Sequence, residues 1–389
     1  MTITRFPTAL VNDRFDVMTH TAFSYVLADG TDIGSLPKVS LHDHLDGGLR
    51  PETVIELADA IGLELPSTDP VELARWFGEK SNSGSLVEYL KTFDLTTAVM
   101  QTREGLTRVA REFVSDLVSD GVVYGEVRWA PEQHLTRGLS LDDVVDAVQE
   151  GIDQGIDAAA SAGHSIRVGQ LLSAMRHLDR AKEIAELALA RRERGVVGFD
   201  IAGPEAGFPP ARHAAAFDLL AEQFFPVTIH AGEADGLSSI RGALLDGRAL
   251  RLGHGVRIAE DIVLERHDDD NVYVTLGPLS QWVKDREIAL ELSPTSNLQT
   301  GAIQTWGSDI LDHPFDLLYQ LGFRVTVNTD NRLMSGTTLT RELSILADAF
   351  AYDRDDLEVF QLNAAMAAFV HIEDRDELTE IISAGFQRQ

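Results

Sequence analysis

Short runs of apolar and β-branched residues alternate along this chain with longer stretches whose apolar positions recur every three or four residues. The short runs fall at 38–45, 122–129, 165–172, 196–201, 226–230, 250–253, 287–292 and 323–329, and they read as strands. Between most of them lie helical patterns, such as LDDVVDAVQEGIDQGIDAAASA (141–162) and HLDRAKEIAELALARRERG (177–195). In the second, Leu178, Ala181, Ile184, Ala185 and Ala188 share one face, and Gly195 marks the stop. Eight strands alternating with helices predict an α/β fold, a (β/α)8 TIM-type barrel. A doubly wound parallel sheet is the competing architecture, but no Gly-x-Gly-x-x-Gly follows any of the runs.

The alternation is interrupted once. Roughly 75 residues separate the first and second strands, far more than one crossover helix needs. Within them GSLVEYLKTFDLTTAVM (84–100) reads as a helix with Leu86, Tyr89, Leu90 and Phe93 on one face. Extra helices between strand 1 and strand 2 would form a lid over the barrel mouth, or would pack on its outside. Residues 1–30 have polar breaks every few positions and no signal-peptide core, and they read as an N-terminal extension. Residues 31–389 then form one barrel domain. The acidic run ERHDDDN (265–271) reads as a solvated loop.

Composition narrows the function. The 389 residues include 62 acidic and 33 basic ones, a net charge of -29. Such a field repels nucleic acid and favours neutral or cationic small molecules. No apolar run approaches the roughly 18 residues of a membrane span, so a cytoplasmic, membrane-free protein is expected. Cysteine is absent, which excludes disulfides, thiol nucleophiles and zinc sites built on a Cys-x-x-Cys pair.

Polar residues then collect where strands stop. Strand 1 ends KVSLHDHLDGG, with His42, His44 and Asp46 two apart, so that strand alternation would point them the same way. Strand 4 ends GFDIAGPE (Asp200, Gly203), strand 5 TIHAGEA (His230, Glu233), strand 6 LGHGV (His254) and strand 8 VTVNTDN (Asp330, Asn331). In a parallel barrel these ends share one face, the working face. A single histidine at a strand end is usually an ordinary core or rim residue, and His20, His134, His164, His177, His213, His267, His313 and His371 are left as such. Four at strand ends together with an aspartate are harder to bury without a shared ion. Three imidazoles and a carboxylate suit Zn²⁺ or a similar divalent ion, with His42, His44, His230 and Asp330 as ligands. Such an ion lowers the pKa of bound water from about 15.7 towards 7. His254 is then available as a base, and Glu233 as an acid near the metal. Water, base and acid together describe hydrolytic attack on an sp² carbon. Strand 4 carries no lysine that could bridge a second ion, which argues for one metal per chain.

The motifs SLHDHLDGG, GFDIAGPE, TIHAGEA, RLGHGV, ELSPTSN and VTVNTDN, in this order, resemble the adenosine deaminase family of the amidohydrolase superfamily. The resemblance covers residues 36 to about 345 and implies one zinc and hydrolytic deamination of adenosine or 2'-deoxyadenosine to the inosine form plus ammonia. It implies that Glu233 protonates purine N1 and that His254 activates the hydroxide. Gly203 would offer its N–H to N3, and Asp46 would accept from the ribose 5'-hydroxyl. Leu86, Tyr89 and Phe93 would form the apolar lid, Glu291 would stand near the catalytic His254 as an orienting group, and Asp200 would be a second orienting group outside the ligand set.

Two positions depart from the family pattern. Asn331 stands where a second aspartate is usual; its amide can always donate to purine N7, whereas a carboxyl must first be protonated. Ser293 stands where cysteine is usual and reads as a packing change. Alternatives remain at this point. One is a sister deaminase acting on adenine or a 5'-modified adenosine. Another is amide or phosphoester hydrolysis on the same barrel, and a third is a non-catalytic metal or nucleoside binder.

Overall fold

Eight parallel strands form at the positions the pattern predicts: β1 (Lys38–His44), β2 (Val122–Trp129), β3 (Arg167–Met175), β4 (Val196–Ala202), β5 (Thr228–Ala231), β6 (Arg251–His254), β7 (Ala289–Leu292) and β8 (Val325–Val327). The structure, a computed structural model, describes residues 2–3, 25–267 and 272–387. The strands run in the order β1-β2-β3-β4 and β5-β6-β7-β8. Two seams close these halves into a barrel. Phe199 bridges Val227 between β4 and β5, and Asp43 bridges Asp330 just beyond the end of β8. At the second seam Asp330 donates its N–H to the His42 carbonyl (2.9 Å) and accepts from the His44 N–H (2.8 Å).

β8 is shorter than its apolar run because Asn328 takes over the ladder with its side chain. Its Oδ1 accepts from the backbone N–H groups of Leu41 and His42, and its Nδ2 donates to the Leu292 carbonyl. Every residue of β1 is buried, the polar ones included, as expected of a strand covered on both faces. Leu41, Val127, Leu172, Phe199, Ile229, Leu252, Leu290 and Val327 belong to the continuous apolar core.

Five helices fill the long connection between β1 and β2: Pro51–Ile61, Pro70–Ser81, Leu86–Leu90, Phe93–Val99 and Arg103–Ser119. The single helix expected over 84–100 is therefore two short ones. The Thr92 hydroxyl donates to the Tyr89 carbonyl at 2.7 Å, and the Thr92 N–H takes the same carbonyl, which closes a tight turn in place of a helical one. The acidic run also differs from expectation. Glu265, Arg266 and His267 lie in a strand (Ile262–His267) paired antiparallel with Val272–Leu276, and 268–271 fall outside the described residues. Val263 and Leu264 of that strand are exposed.

Of the N-terminal extension, Thr2–Ile3 pair with Tyr273 and Val272, and 4–24 fall outside the described residues. Residues 25–36 fold as one turn, with the Ile33 N–H on the Tyr25 carbonyl and the Leu27 N–H on the Thr31 carbonyl. Among the described residues, no helix is long and apolar enough to cross a membrane.

Candidate active site

The C-terminal ends of the strands open into one cavity of about 400 Å³. His44, Asp46, Leu86, Tyr89, Phe93, Gly203, His230, Glu233, His254, Asp330 and Asn331 all line it. Each was singled out from sequence. His42, Glu291 and Asp200 lie directly behind, fully buried. Sequence reasoning set aside His177, which also lines the cavity.

Two carboxylates below the floor orient two of the imidazoles. His42 donates from Nδ1 to Glu291 Oε2 at 3.1 Å, and His230 Nδ1 lies 2.8 Å from Asp200 Oδ2. Both rings therefore turn Nε2 upward. His42 Nε2 lies 3.1 Å from Asp330 Oδ1, His44 Nε2 lies 3.2 Å from the same oxygen, and His44 Nε2 lies 3.1 Å from His230 Nε2. Ser296 fixes the other carboxylate oxygen of Asp330 by a 2.6 Å hydrogen bond. Lone pairs of His42 and His230 thus converge with a carboxylate, so a proton or a cation must sit between them. Burial and Arg128 push the His42 pKa down, yet hydrogen bonds to Asp330 and Glu291 carry it upward. Nitrogen and oxygen donors at this spacing fit a divalent metal ion. His254 can enter the same cluster, since His42, His230, His254 and Asp330 each offer an atom within 4.8 Å of the others.

Buried charge pairs hold the orienting carboxylates, and sequence reasoning missed them too. Arg128 reaches Glu291 Oε2 at 2.7 Å and Asp200 Oδ2 at 3.4 Å, and Arg251 reaches Glu291 Oε1 at 2.7 Å. Arg251 is paired in turn with Glu126 and lies 3.6 Å from the Phe369 ring centroid. Burial raises the pKa of Glu291, but Arg128 and Arg251 outweigh it and hold the carboxyl well below its ordinary range. Burial likewise opposes ionisation of Asp200, yet His230 and Arg128 bring it down to about 2. Glu291 is therefore an anionic acceptor for the His42 N–H, and Asp200 an anionic neighbour of the His230 ring nitrogen.

Glu233 is tuned the other way. It is buried, and burial, reinforced by the Asp330 and Glu205 carboxylates, raises its pKa well above the ordinary value. Its Oε1 has no hydrogen-bond partner. The turn that presents it is built by Glu205, whose carboxylate accepts from the N–H groups of Gly232 (2.6 Å), Glu233 (3.1 Å), Ala234 (2.6 Å) and Asp235 (3.0 Å). Glu205 ends the quoted GFDIAGPE motif, so its signal lay in plain view.

Two of the non-glycine residues with left-handed backbone stand at the same rim. His254 and Asp330 adopt φ of 62° and 58°, uncommon for residues with a side chain. Gly203 has φ 98°, which only glycine adopts readily, so its presence follows from backbone conformation more than from space. Gly47 is needed for space: a Cβ there would come within 1.9 Å of Asn331 Oδ1. That oxygen is buried against Gly47 without a partner, leaving Nδ2 of Asn331 for a ligand. Asp46 lies past the end of β1, yet it faces the cavity with His44; its Oδ1 accepts no hydrogen bond and lies 3.8 Å from His44 Nδ1. Ser293 is buried at the N-cap of the short helix (Pro294–Gln299) that carries Ser296.

Residues 37–384 match the family model described as adenosine deaminase. Adenosine deaminase 1 of Streptomyces coelicolor is 54% identical over 352 residues, covering 90% of this chain and 87% of the relative. Adenosine deaminase of Mycobacterium avium is 54% identical over 344 residues, covering 88% and 93%. Among solved structures, the N6-mAMP deaminase of Arabidopsis superposes with a TM-score of 0.76 at 27% identity, covering 90% of this chain and 99% of that one. An amidohydrolase from Burkholderia ambifaria, described with bound Zn, superposes with a TM-score of 0.76 at 23% identity, covering 91% of each. That last likeness speaks for the fold alone. The match to the family model spans nearly the whole described barrel and includes every strand end that faces the cavity: this chain belongs to the adenosine deaminase family of metal-dependent aminohydrolases.

Proposed function

We propose that this protein hydrolytically deaminates adenosine and 2'-deoxyadenosine, releasing ammonia, with one Zn²⁺ held by His42, His44, His230 and Asp330. The observation that carries the reading is Glu233: a buried carboxyl whose pKa burial and neighbouring carboxylates raise well above the ordinary value, with one oxygen lacking a hydrogen bond, beside a cluster of converging imidazoles. Bound zinc would supply Lewis acidity, bringing a water within reach of deprotonation near neutral pH.

The chain's own groups do the rest. Glu233 gives its proton to purine N1, which breaks ring aromaticity and makes C6 electrophilic. Glu205 keeps that carboxyl in place by gripping the turn on which it rides. The Nδ2 of Asn331 donates to N7, and the Gly203 N–H donates to N3. Asp46 accepts from the ribose 5'-hydroxyl, and as an anion it would also repel a 5'-phosphate. Leu86, Tyr89 and Phe93 cover the base and exclude water.

The test is the ultraviolet absorbance of purified, zinc-loaded protein mixed separately with adenosine, 2'-deoxyadenosine, adenine, AMP and methylthioadenosine. A rapid fall for the two nucleosides, abolished by a chelator and restored by Zn²⁺, is expected. Turnover of adenine or methylthioadenosine in preference to adenosine would move the reading to a sister aminohydrolase, with Asp46 and the lid as the places to look.

A further inference from the structure

A chain of buried hydrogen bonds runs from a backbone amide to the imidazole of His254, and its direction can be read from its first member. The N–H of Phe315 can only donate. It lies 3.0 Å from Nδ1 of His313, so that nitrogen accepts and His313 carries its hydrogen on Nε2. Nε2 of His313 lies 3.2 Å from Oδ1 of Asn297, which accepts. The amide of Asn297 is thereby oriented, and its Nδ2 faces Nδ1 of His254 at 3.1 Å. An amide nitrogen only donates, so Nδ1 of His254 accepts. The neutral ring then holds its hydrogen on Nε2, the nitrogen 3.5 Å from Glu233 Oε2. His254, Asn297 and His313 are 1%, 0% and 3% exposed, so no link is open to replacement by bulk water.

We propose that Asn297 and His313 are positioning residues that hold His254 as its Nε2–H tautomer, making it a hydrogen-bond donor at the reaction centre and barring its Nε2 from the metal. Two consequences follow. Of the two donor sets that geometry permits, the one containing His254 lacks a lone pair where the ion would need it, and the one containing His44 carries no such bar. The resting His254 also presents an N–H to the attacking oxygen, where the sequence suggested a base. Such a donor stabilises negative charge as it develops. Its meaning for catalysis rests on the deamination proposed above, but the tautomer itself does not.

The experiment is nitrogen-15 NMR of the zinc-loaded full-length protein with ring-labelled histidine, the His254 signals being identified by their loss in His254→Ala. The expected result is an unprotonated Nδ1 and a protonated Nε2. A hydrogen on Nδ1 would overturn the proposal, and this reading needs no folded variant beyond the assignment. Asn297→Asp replaces the donor with an acceptor and is expected to shift the hydrogen to Nδ1; an unchanged tautomer in the folded variant would also overturn it. After dialysis, His254→Ala should retain one zinc per chain and His44→Ala should lose it; the reverse would count against the proposal. Adenosine turnover is measured on the same wild-type sample. The expected tautomer without turnover sinks the deaminase reading and spares the relay. Turnover with the opposite tautomer does the converse.

Discussion

Arg128 Nη2 lies 2.7 Å from Oε2 of Glu291, the same carboxylate oxygen that receives the Nδ1 hydrogen of His42. One buried oxygen thus joins a permanent cation to a candidate metal ligand. Because Arg128 also reaches Asp200, a single guanidinium steadies the acceptors behind both His42 and His230. Its planar fork suits two carboxylates at once, which a lysine ammonium would not reproduce.

Replacing Arg128 by methionine should therefore be costly. It leaves two buried carboxylates short of a counter-charge, a change worth about 3–5 kcal/mol when one partner of a buried pair is removed. Urea unfolding of the variant should show a correspondingly lower midpoint at unchanged slope, and an unfolding free energy within about 0.5 kcal/mol of wild type would remove Arg128 from this role.

Asp200→Asn keeps the shape of the group behind His230 but weakens its acceptor. Metal affinity should fall about 10–100-fold, as is usual when the hydrogen-bond partner of a ligating imidazole is altered. Competition with a calibrated chelator measures this directly, and unchanged affinity would mean that Asp200 does not orient a ligand.

Glu205→Gln replaces an anion that accepts four backbone hydrogen bonds by a group with one acceptor oxygen. The turn should relax and carry Glu233 away from its proton target. A fall in kcat of about 100-fold with little change in KM is expected, since small misplacements at the reacting centre act on the chemical step. A rise in KM alone would contradict a positioning role.

The strand positions and the donors at the strand ends were legible because both are local. Alternation places His42 and His44 on one face, and parallel topology brings the strand ends together. What was not legible depends on pairing across the fold. Asn297 meets His254 across 43 positions and His313 across 16, and nothing in the spacing of three polar residues announces that they touch. The break at Thr92 was hidden because Leu86, Tyr89 and Phe93 keep helical spacing through it. Arg128 and Arg251 did leave a trace. Arg128 and Glu126 are two charges within one buried strand and Arg251 opens another, and the expectation that buried charges come in pairs would have led to Glu126 and Glu291.

His313 also gives a prediction in pH. Burial pushes its pKa down to about 3 from the ordinary 6.5. Between those values the unfolded chain binds a proton that the folded chain does not, so this group makes stability rise with pH, by up to about 1.4 kcal/mol per pH unit. The contribution is complete above the unfolded value and is lost as pH falls towards the folded one. His313→Phe should flatten the dependence of unfolding free energy on pH between about pH 4 and 6.5 relative to wild type. Parallel curves for the two proteins would show that His313 is not buried in its neutral form.

The seam between β1 and the end of β8 carries one more consequence, for the order of events when the chain folds. His42 and Asp330 are separated by 288 positions, yet they share a backbone hydrogen bond and a side-chain contact at that seam. Contacts so distant along the chain must overcome a large loop-closure entropy and tend to form late. The donor cluster cannot be complete while the first and last strands of the barrel remain apart, so an emerging or half-folded polypeptide has no reactive centre. Activity becomes a report that the circle has closed.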